Sequence, residues 1–319
     1  MDMKLRYLLY AMLAGVTCGS LSGCSADEER SGIGGTTPLA IRSMSVGTYS
    51  SDVDTRAGGD LVILKEGTIG VFRISGGEEK LNVPYVYGET AWTTTQEGIL
   101  LSKEVSQLCT YYPYSSSDDT FEKTSDDISL SLQIAPYSKA NDLCGGTFTA
   151  SETNSRPTPV LSHLYARISF RFAKQDTYKE KGVVCSFMLN GVYKAGKYCL
   201  FADSYSVTDT GSYIWNSPDV TAGTEHSTVD LLLIPMNIPS GGQEFLFYLD
   251  GTEKKNSYKG TIPQSLFTST NNSLQAGYHY KLKVMVGEKG FTVVPDDDNG
   301  PSVSGWSTEK LKDNEVEVG

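Results

Sequence analysis

Short apolar runs, broken by Gly, Pro, Asn and Asp, follow one another from Thr68 onward: TIGVFRI (68–74), NVPYVYG (82–88), GILLS (98–102), QLCTYYPY (107–114) and ISLSLQI (128–134). Each has strand length and is rich in β-branched and aromatic residues, which fit a pleated, half-buried surface. VLSHLYARISFRFA (160–173) is the longest. Leu164, Ala166, Ile168, Phe170 and Phe172 alternate there with His163, Tyr165, Arg167, Ser169 and Arg171, which predicts one strand with a buried face and a wet one. After the polar break KQDTYKEKG (174–182) the runs resume as VVCSFMLNG, KYCLFA, TVDLLLIP, QEFLFYLDG, SYKGTIP, YHYKLKVMV and GFTVV. No segment repeats apolar residues at i, i+3, i+4 and i+7 over three turns, and SKANDLCGG (138–146) has room for a single helical turn. An all-β chain is expected. Because one sandwich usually takes about 100 residues, the pattern predicts two in tandem, over 61–174 and 175–319.

The text ahead of these runs is different. Lys4 and Arg6 precede an uncharged stretch from Tyr7 to Val16, too short for the roughly 20 residues that span a bilayer. Residues 1–23 therefore read as a secretory signal peptide, outside fold reasoning. Leu21, Ser22 and Gly23 before Cys24 complete a bacterial lipoprotein signal, so Cys24 is the expected lipidation site and the lipid the expected hold on the outer membrane. Residues 24–60 are dominated by Ser, Gly, Thr and Asp, the composition of a polar tether. Within them PLAIRSMSV (38–46) alone has apolar density and forms a candidate detachable strand. Strict alternation puts Leu39 and Ile41 on one face, and Ala40, Met44 and Val46 on the other.

Charge removes some partners. The 319 residues carry a formal −11, and losing 1–23 takes away Asp2, Lys4 and Arg6, leaving −12; such a chain does not attract nucleic acid or anionic lipid. Four cysteines follow the anchor, Cys109, Cys144, Cys185 and Cys199. An even number outside the cytosol permits disulfides. Cys185 and Cys199, on two runs either side of the turn-rich NGVYKAGK, suit a cross-strand pair, and buried free thiols fit equally well. C-x-x-C, H-E-x-x-H, G-x-S-x-G, P-loop and dinucleotide fingerprints do not occur, so no catalytic residue, cofactor or metal is expected. PDDDNG (295–300) has its glycine one place too early for a calcium loop. His163, His226 and His279 are far apart in sequence, and His163 and His279 read as surface or edge residues. Tyr85, Tyr87, Tyr111, Tyr112 and Tyr114 read as sheet residues with a buried ring and a wet hydroxyl, a sugar-stacking platform being the alternative.

Nine features occur in a fixed order: Thr55-Arg56-Ala57, GTIGVFRI, TYYPY, Gln133, NDLCGGTFTA, SHLYARISFRF, LLLIP, AGYHYKLKV and Gly305-Trp306. In this order, after a lipobox, they resemble the fimbrillin-like proteins of Bacteroidota. The resemblance covers about residues 55–306. It implies two transthyretin-like Greek-key sandwiches, export as a surface lipoprotein, trimming by an arginine-specific protease and assembly into pili. Assembly works by β-strand addition, in which an incoming strand satisfies an open edge and fills its pockets. Arg56 matches the processing position, with Arg42 and Arg30 as rivals. Asp27-Glu28-Glu29 resemble the acidic signal that sends lipoproteins to the outer face of the outer membrane. The expected function is that of a pilus subunit, in a tip or accessory place because TEKLKDNEVEVG (308–319) makes a poor donor strand. The alternative is a monomeric surface adhesin binding glycan or host protein.

Overall fold

The computed structural model describes residues 36–51, 60–296 and 306–309. Cys24, Arg30 and Arg56 lie outside them. The described chain is built of strands, with three short 3₁₀ turns as its helical pieces.

The first sheet contains β1 (Met44–Gly47), β2 (Leu61–Leu64), β3 (Thr68–Ser75), β4 (Lys80–Tyr87) and β5 (Ser106–Tyr112). The chain then leaves it for β6 (Phe121–Lys123) and β7 (Ile128–Gln133), and returns for β8 (Cys144–Ala150) and β9 (Val160–His163). The order across this sheet is β2-β1-β9-β8-β5-β3-β4, ending on Trp92–Thr93. β10 (Ala166–Lys174), β11 (Val183–Cys199), β12 (Ser204–Thr221), β13 (Thr228–Leu233), β14 (Gln243–Leu249), β15 (Ser257–Ile262), β16 (Tyr278–Gly287), β17 (Gly290–Pro295) and β18 (Trp306–Glu309) make two further sheets. One runs β6-β7-β11-β14-β15 with β12 along the other side of β11, and the second runs from Ala135–Pro136 through β13, β10, β16 and β17 to β18.

Three clusters of buried side chains follow. Ile69, Val71, Tyr85, Trp92 and Leu108 centre the first, and Phe170, Phe187, Phe245, Phe247 and Phe291 the largest. A third joins Phe72 and Tyr111 of the first sheet to Ile128, Leu130, Leu164 and Leu232.

Three sequence expectations change. The long strand over 160–173 is two strands in different sheets, bent at Leu164 and Tyr165. Tyr165 is not on a wet face: it is buried, and its hydroxyl accepts the Gln133 N–H at 3.1 Å. Residue 174 is accordingly not a joint between sandwiches, for β10 bonds to β13 and β16 while β6 and β7 bond into the sheet of β11. The hand-over lies near residue 165, preceded by the β6–β7 excursion.

NGVYKAGK is also not a turn between two strands. Register shifts at Leu189/Val192, Tyr193/Ala195 and Ala195/Gly196 absorb it as bulges inside one continuous strand, with Gly191 at φ +65° where a side chain would be strained. Cys185 and Cys199 therefore stand at opposite ends of β11. At about 3.3 Å per residue they are on the order of 40 Å apart, far beyond the roughly 7 Å Cα separation a disulfide bridges. Both are free, as are Cys109 and Cys144. The segment 138–142 closes one turn, in which the Asn141 and Asp142 N–H groups both donate to Ser138 O, and no longer helix follows it.

Candidate functional site

Residues 36–47 lie as a strand in a groove. On one side the backbone N–H groups of Thr36, Leu39 and Ile41 donate to the carbonyls of Leu101, Ile99 and Trp92. On the other, Ala40, Arg42 and Ser45 donate to Ser155, Pro157 and Pro159. Such alternation satisfies both edges of an extended segment. β1 continues this path, running parallel to β9 and antiparallel to β2.

Four side chains of the segment enter the first core: Leu39, Ile41, Met44 and Val46. The two-faced expectation is corrected here. Ser43 and exposed Arg42 form a break between Ile41 and β1, so the inward phase moves from odd to even positions and all four large apolar side chains point one way. Each such burial contributes about 1.5–3 kcal/mol.

β2 forms the far edge of the sheet. Its Leu61, Val62 and Ile63 are more than half exposed, and among the described residues its one sheet partner is β1. Arg56, between the docked segment and β2, falls outside the described residues. Arg42, its rival, has its own N–H tied to Pro157 in the middle of the docked segment.

Beneath β1 and β2 opens a pocket of about 570 Å³, lined among others by Tyr49, Ile63, Tyr137, Asp142, His163 and Arg167. Cys144 begins β8 and His163 ends β9, and the two are direct cross-strand partners. Asp142 is held just ahead of β8 by a turn in which its N–H donates to Ser138 O at 3.1 Å. His163 Nδ1 lies 3.0 Å from Asp142 Oδ1 and 3.4 Å from Cys144 Sγ. Tyr49, just past β1, donates its hydroxyl to Asp142 Oδ1 at 2.7 Å and stacks on the His163 ring at 3.9 Å between centroids. Burial, with Asp142 beside it, pushes the Cys144 thiol well above its usual range, and the same two causes raise the Tyr49 phenol.

His279 also faces Tyr49, edge to ring at 6.2 Å. Its Nε2 is 2.6 Å from Ser169 Oγ, whose hydroxyl donates to Asp230 Oδ1 at 3.0 Å. Asp230 is gripped by Arg167, which lies 3.4 Å over the Tyr137 ring. Burial first, then Arg167, hold the His279 imidazole down at about 4. His163 and His279, both expected at the surface, thus meet around one tyrosine of the N-terminal segment.

Neither group is arranged as a catalytic relay. Thiol and carboxylate meet the same nitrogen of His163, whereas a relay needs one partner on each ring nitrogen. At His279 the carboxylate holds the serine hydroxyl. Of the five clustered tyrosines, Tyr85 and Tyr111 are fully buried and offer no stacking surface, their hydroxyls bonded to Ile99 N and Ser115 O, while Tyr87, Tyr112 and Tyr114 are half-buried.

Sequence reasoning missed Tyr49, Asp142 and Cys144 as neighbours of His163. Asp142-x-Cys144 at a strand entrance was the available signal, but its partner is set by β8–β9 register, which the linear pattern does not carry.

Comparison with known proteins agrees with this architecture. A candidate cell adhesion protein of Bacteroides uniformis superimposes with a TM-score of 0.54 at 13% identity, over 86% of this chain and 99% of that one. A second, from Bacteroides ovatus, gives 0.56 at 14% identity over 82% and 96%. No curated protein matches the chain. The fimbrillin-like family matches residues 55–306, most of the sequence, and the chain belongs to that family.

Proposed function

We propose that the protein is a lipid-anchored subunit of a surface fimbrium, in a tip or accessory position, that releases its N-terminal strand on cutting after Arg56 and accepts a strand from a neighbouring subunit. One observation carries this reading: residues 36–47 fill a groove bonded along both edges, with four apolar side chains in the core. Losing that segment leaves two rows of unpaired N–H and C=O groups and an emptied row of pockets, the substrate of β-strand addition. β2 is left without its sheet partner, and its exposed Leu61, Val62 and Ile63 add apolar surface for an incoming strand. Family membership supports the fimbrial setting.

Cys24 carries the lipid in this reading and holds the subunit at the outer membrane, with Asp27, Glu28 and Glu29 directing it to the outer face. Cys24→Ser releases the protein from the membrane. Arg56→Ala leaves the segment in place and the protein a monomer, while Arg42→Ala is processed normally. The mature N-terminus of protein shed from cells, read by mass spectrometry, tests the site directly. Normal assembly of Arg56→Ala, together with resistance of the wild type to an arginine-specific protease at that site, overturns strand exchange and leaves a surface protein that binds through its loops.

A further inference from the structure

We propose that Asp142, Cys144 and His163 form a binding site for one divalent cation of the Zn²⁺ class. The donor atoms, a carboxylate oxygen, a thiol sulfur and an imidazole nitrogen, all lie within 4.8 Å of one another. A tetrahedral zinc with bonds of about 2.0–2.1 Å to N, 2.0–2.2 Å to O and 2.3 Å to S sets N···O and N···S edges of about 3.4 and 3.6 Å. The measured edges are 3.0 and 3.4 Å. The two edges at the imidazole therefore need shifts of a few tenths of an ångström, and the remaining S···O edge, about 3.6 Å in such a site, lies within 4.8 Å.

The chemistry of the set selects the ion. A sulfur donor disfavours Ca²⁺ and Mg²⁺, which take oxygen, and a mixed S, N, O set suits Zn²⁺. Three protein ligands leave a fourth corner open, as in sites that exchange water for another ligand. The pocket lined by Asp142, Cys144 and His163 provides an entry path. The supports are stiff, since Cys144 and His163 face each other across a bonded strand pair and Asp142 is fixed by its turn.

Binding is balanced by one proton. The Cys144 S–H gives its proton to solvent as the S–metal bond forms. The imidazole moves its N–H to Nε2, freeing the Nδ1 lone pair, and the carboxylate exchanges the Tyr49 hydroxyl for the metal. Tyr49 is thus a competitor for Asp142 Oδ1 and a cover over His163. If strand exchange operates as proposed above, the cover leaves with the N-terminal segment; cation binding itself does not require cutting.

The test uses Co²⁺ added to the uncut chain from Cys24 onward, in a non-chelating reductant. One equivalent is expected to give tetrahedral d–d bands and a thiolate-to-cobalt charge-transfer band, both abolished by Zn²⁺. Cys144→Ser removes the charge-transfer band, His163→Gln weakens binding by more than the roughly 10–100-fold lost when a partner that only orients a ligand is removed, and Tyr49→Ala lowers the Co²⁺ concentration at half-saturation. Cys185→Ser, on β11, leaves the spectrum unchanged. Circular dichroism establishes that each variant is folded. The absence of a charge-transfer band in the wild type at excess Co²⁺, or its survival in folded Cys144→Ser, overturns the site. Because the chain is uncut, neither result bears on strand exchange.

Discussion

Ile41 and Trp92 exchange both backbone hydrogen bonds, at 3.1 and 2.8 Å, and both side chains are wholly buried. The N-terminal segment is therefore a structural strand of the uncut protein, not a tether lying on its surface. Ile41→Ala is expected to cost about 2–5 kcal/mol, the range for truncating a large core side chain to alanine. Exposed Arg42, next in sequence, is expected to change stability by no more than about 0.5 kcal/mol on truncation. Urea unfolding of the two variants checks the contrast, and equal midpoints would show that the segment contributes nothing to the fold.

The low-lying imidazole of His279 makes stability fall with acidity. Its folded value of about 4 sits below the unfolded 6.5, so below pH 6.5 the unfolded chain takes up a proton that the folded chain refuses. Stability attributable to this group is fully present above pH 6.5 and declines as the pH falls toward 4. Arg167 and Lys281 oppose protonation in the fold, and Asp230 favours it. The full shift corresponds to about 3 kcal/mol, and partial exposure reduces the expected effect to roughly half that. Denaturation midpoints between pH 7 and 4.5 should decline less steeply in His279→Gln than in the wild type.

The four thiols differ in access. Cys109 and Cys144 are buried, whereas Cys185 and Cys199 are partly exposed, with Cys199 Sγ 3.2 Å from Ser129 Oγ. Brief iodoacetamide treatment of native protein, followed by peptide mass spectrometry, is expected to label Cys185 first and to leave Cys109 and Cys144 unmodified until denaturant is added. A Cys185–Cys199 linked peptide would contradict the continuous strand.

Much of the architecture was legible because β-branched alternation survives tertiary context. The apolar runs that begin at Thr68, Thr228, Gln243, Ser257, Tyr278 and Gly290 each carry a strand, because each puts large apolar side chains into a core. What linear pattern could not carry was sheet membership. Leu164 and Tyr165 continue the apolar text of their neighbours, yet the backbone bends there and passes between sheets. β12 was invisible for the opposite reason: most of its side chains are exposed, and it is held by hydrogen bonding along β11 rather than by an apolar face. Nor does the sequence reveal that Asn190-Gly191 is a bulge, since the same pair in another register makes a hairpin turn. Around Tyr49 the residue types were plain and their convergence was not, because Asp142, His163 and His279 come from three separate stretches.

β2 pairs with β1 through Met44–Leu64, Ser45–Ile63, Val46–Val62 and Gly47–Leu61, and no other strand among the described residues pairs with its opposite edge. Natural edge strands usually carry a charge or a proline against unwanted pairing, and Leu-Val-Ile-Leu carries neither. An unprotected edge of this kind is tolerable where pairing is its purpose. Protein cut after Arg56 by an arginine-specific protease and freed of the segment is therefore expected to associate. A synthetic peptide of residues 36–50 should suppress that association by refilling the groove. Val62→Lys places a charge on the edge at a position already 52% exposed, so the uncut protein should keep its stability within about 0.5 kcal/mol. The same change should weaken association of the cut form. Sedimentation velocity before and after cutting, with and without peptide, reads all of these outcomes. Cut protein that stays monomeric with its segment removed, or association that the peptide leaves untouched, would mean that the groove is not where a partner strand binds.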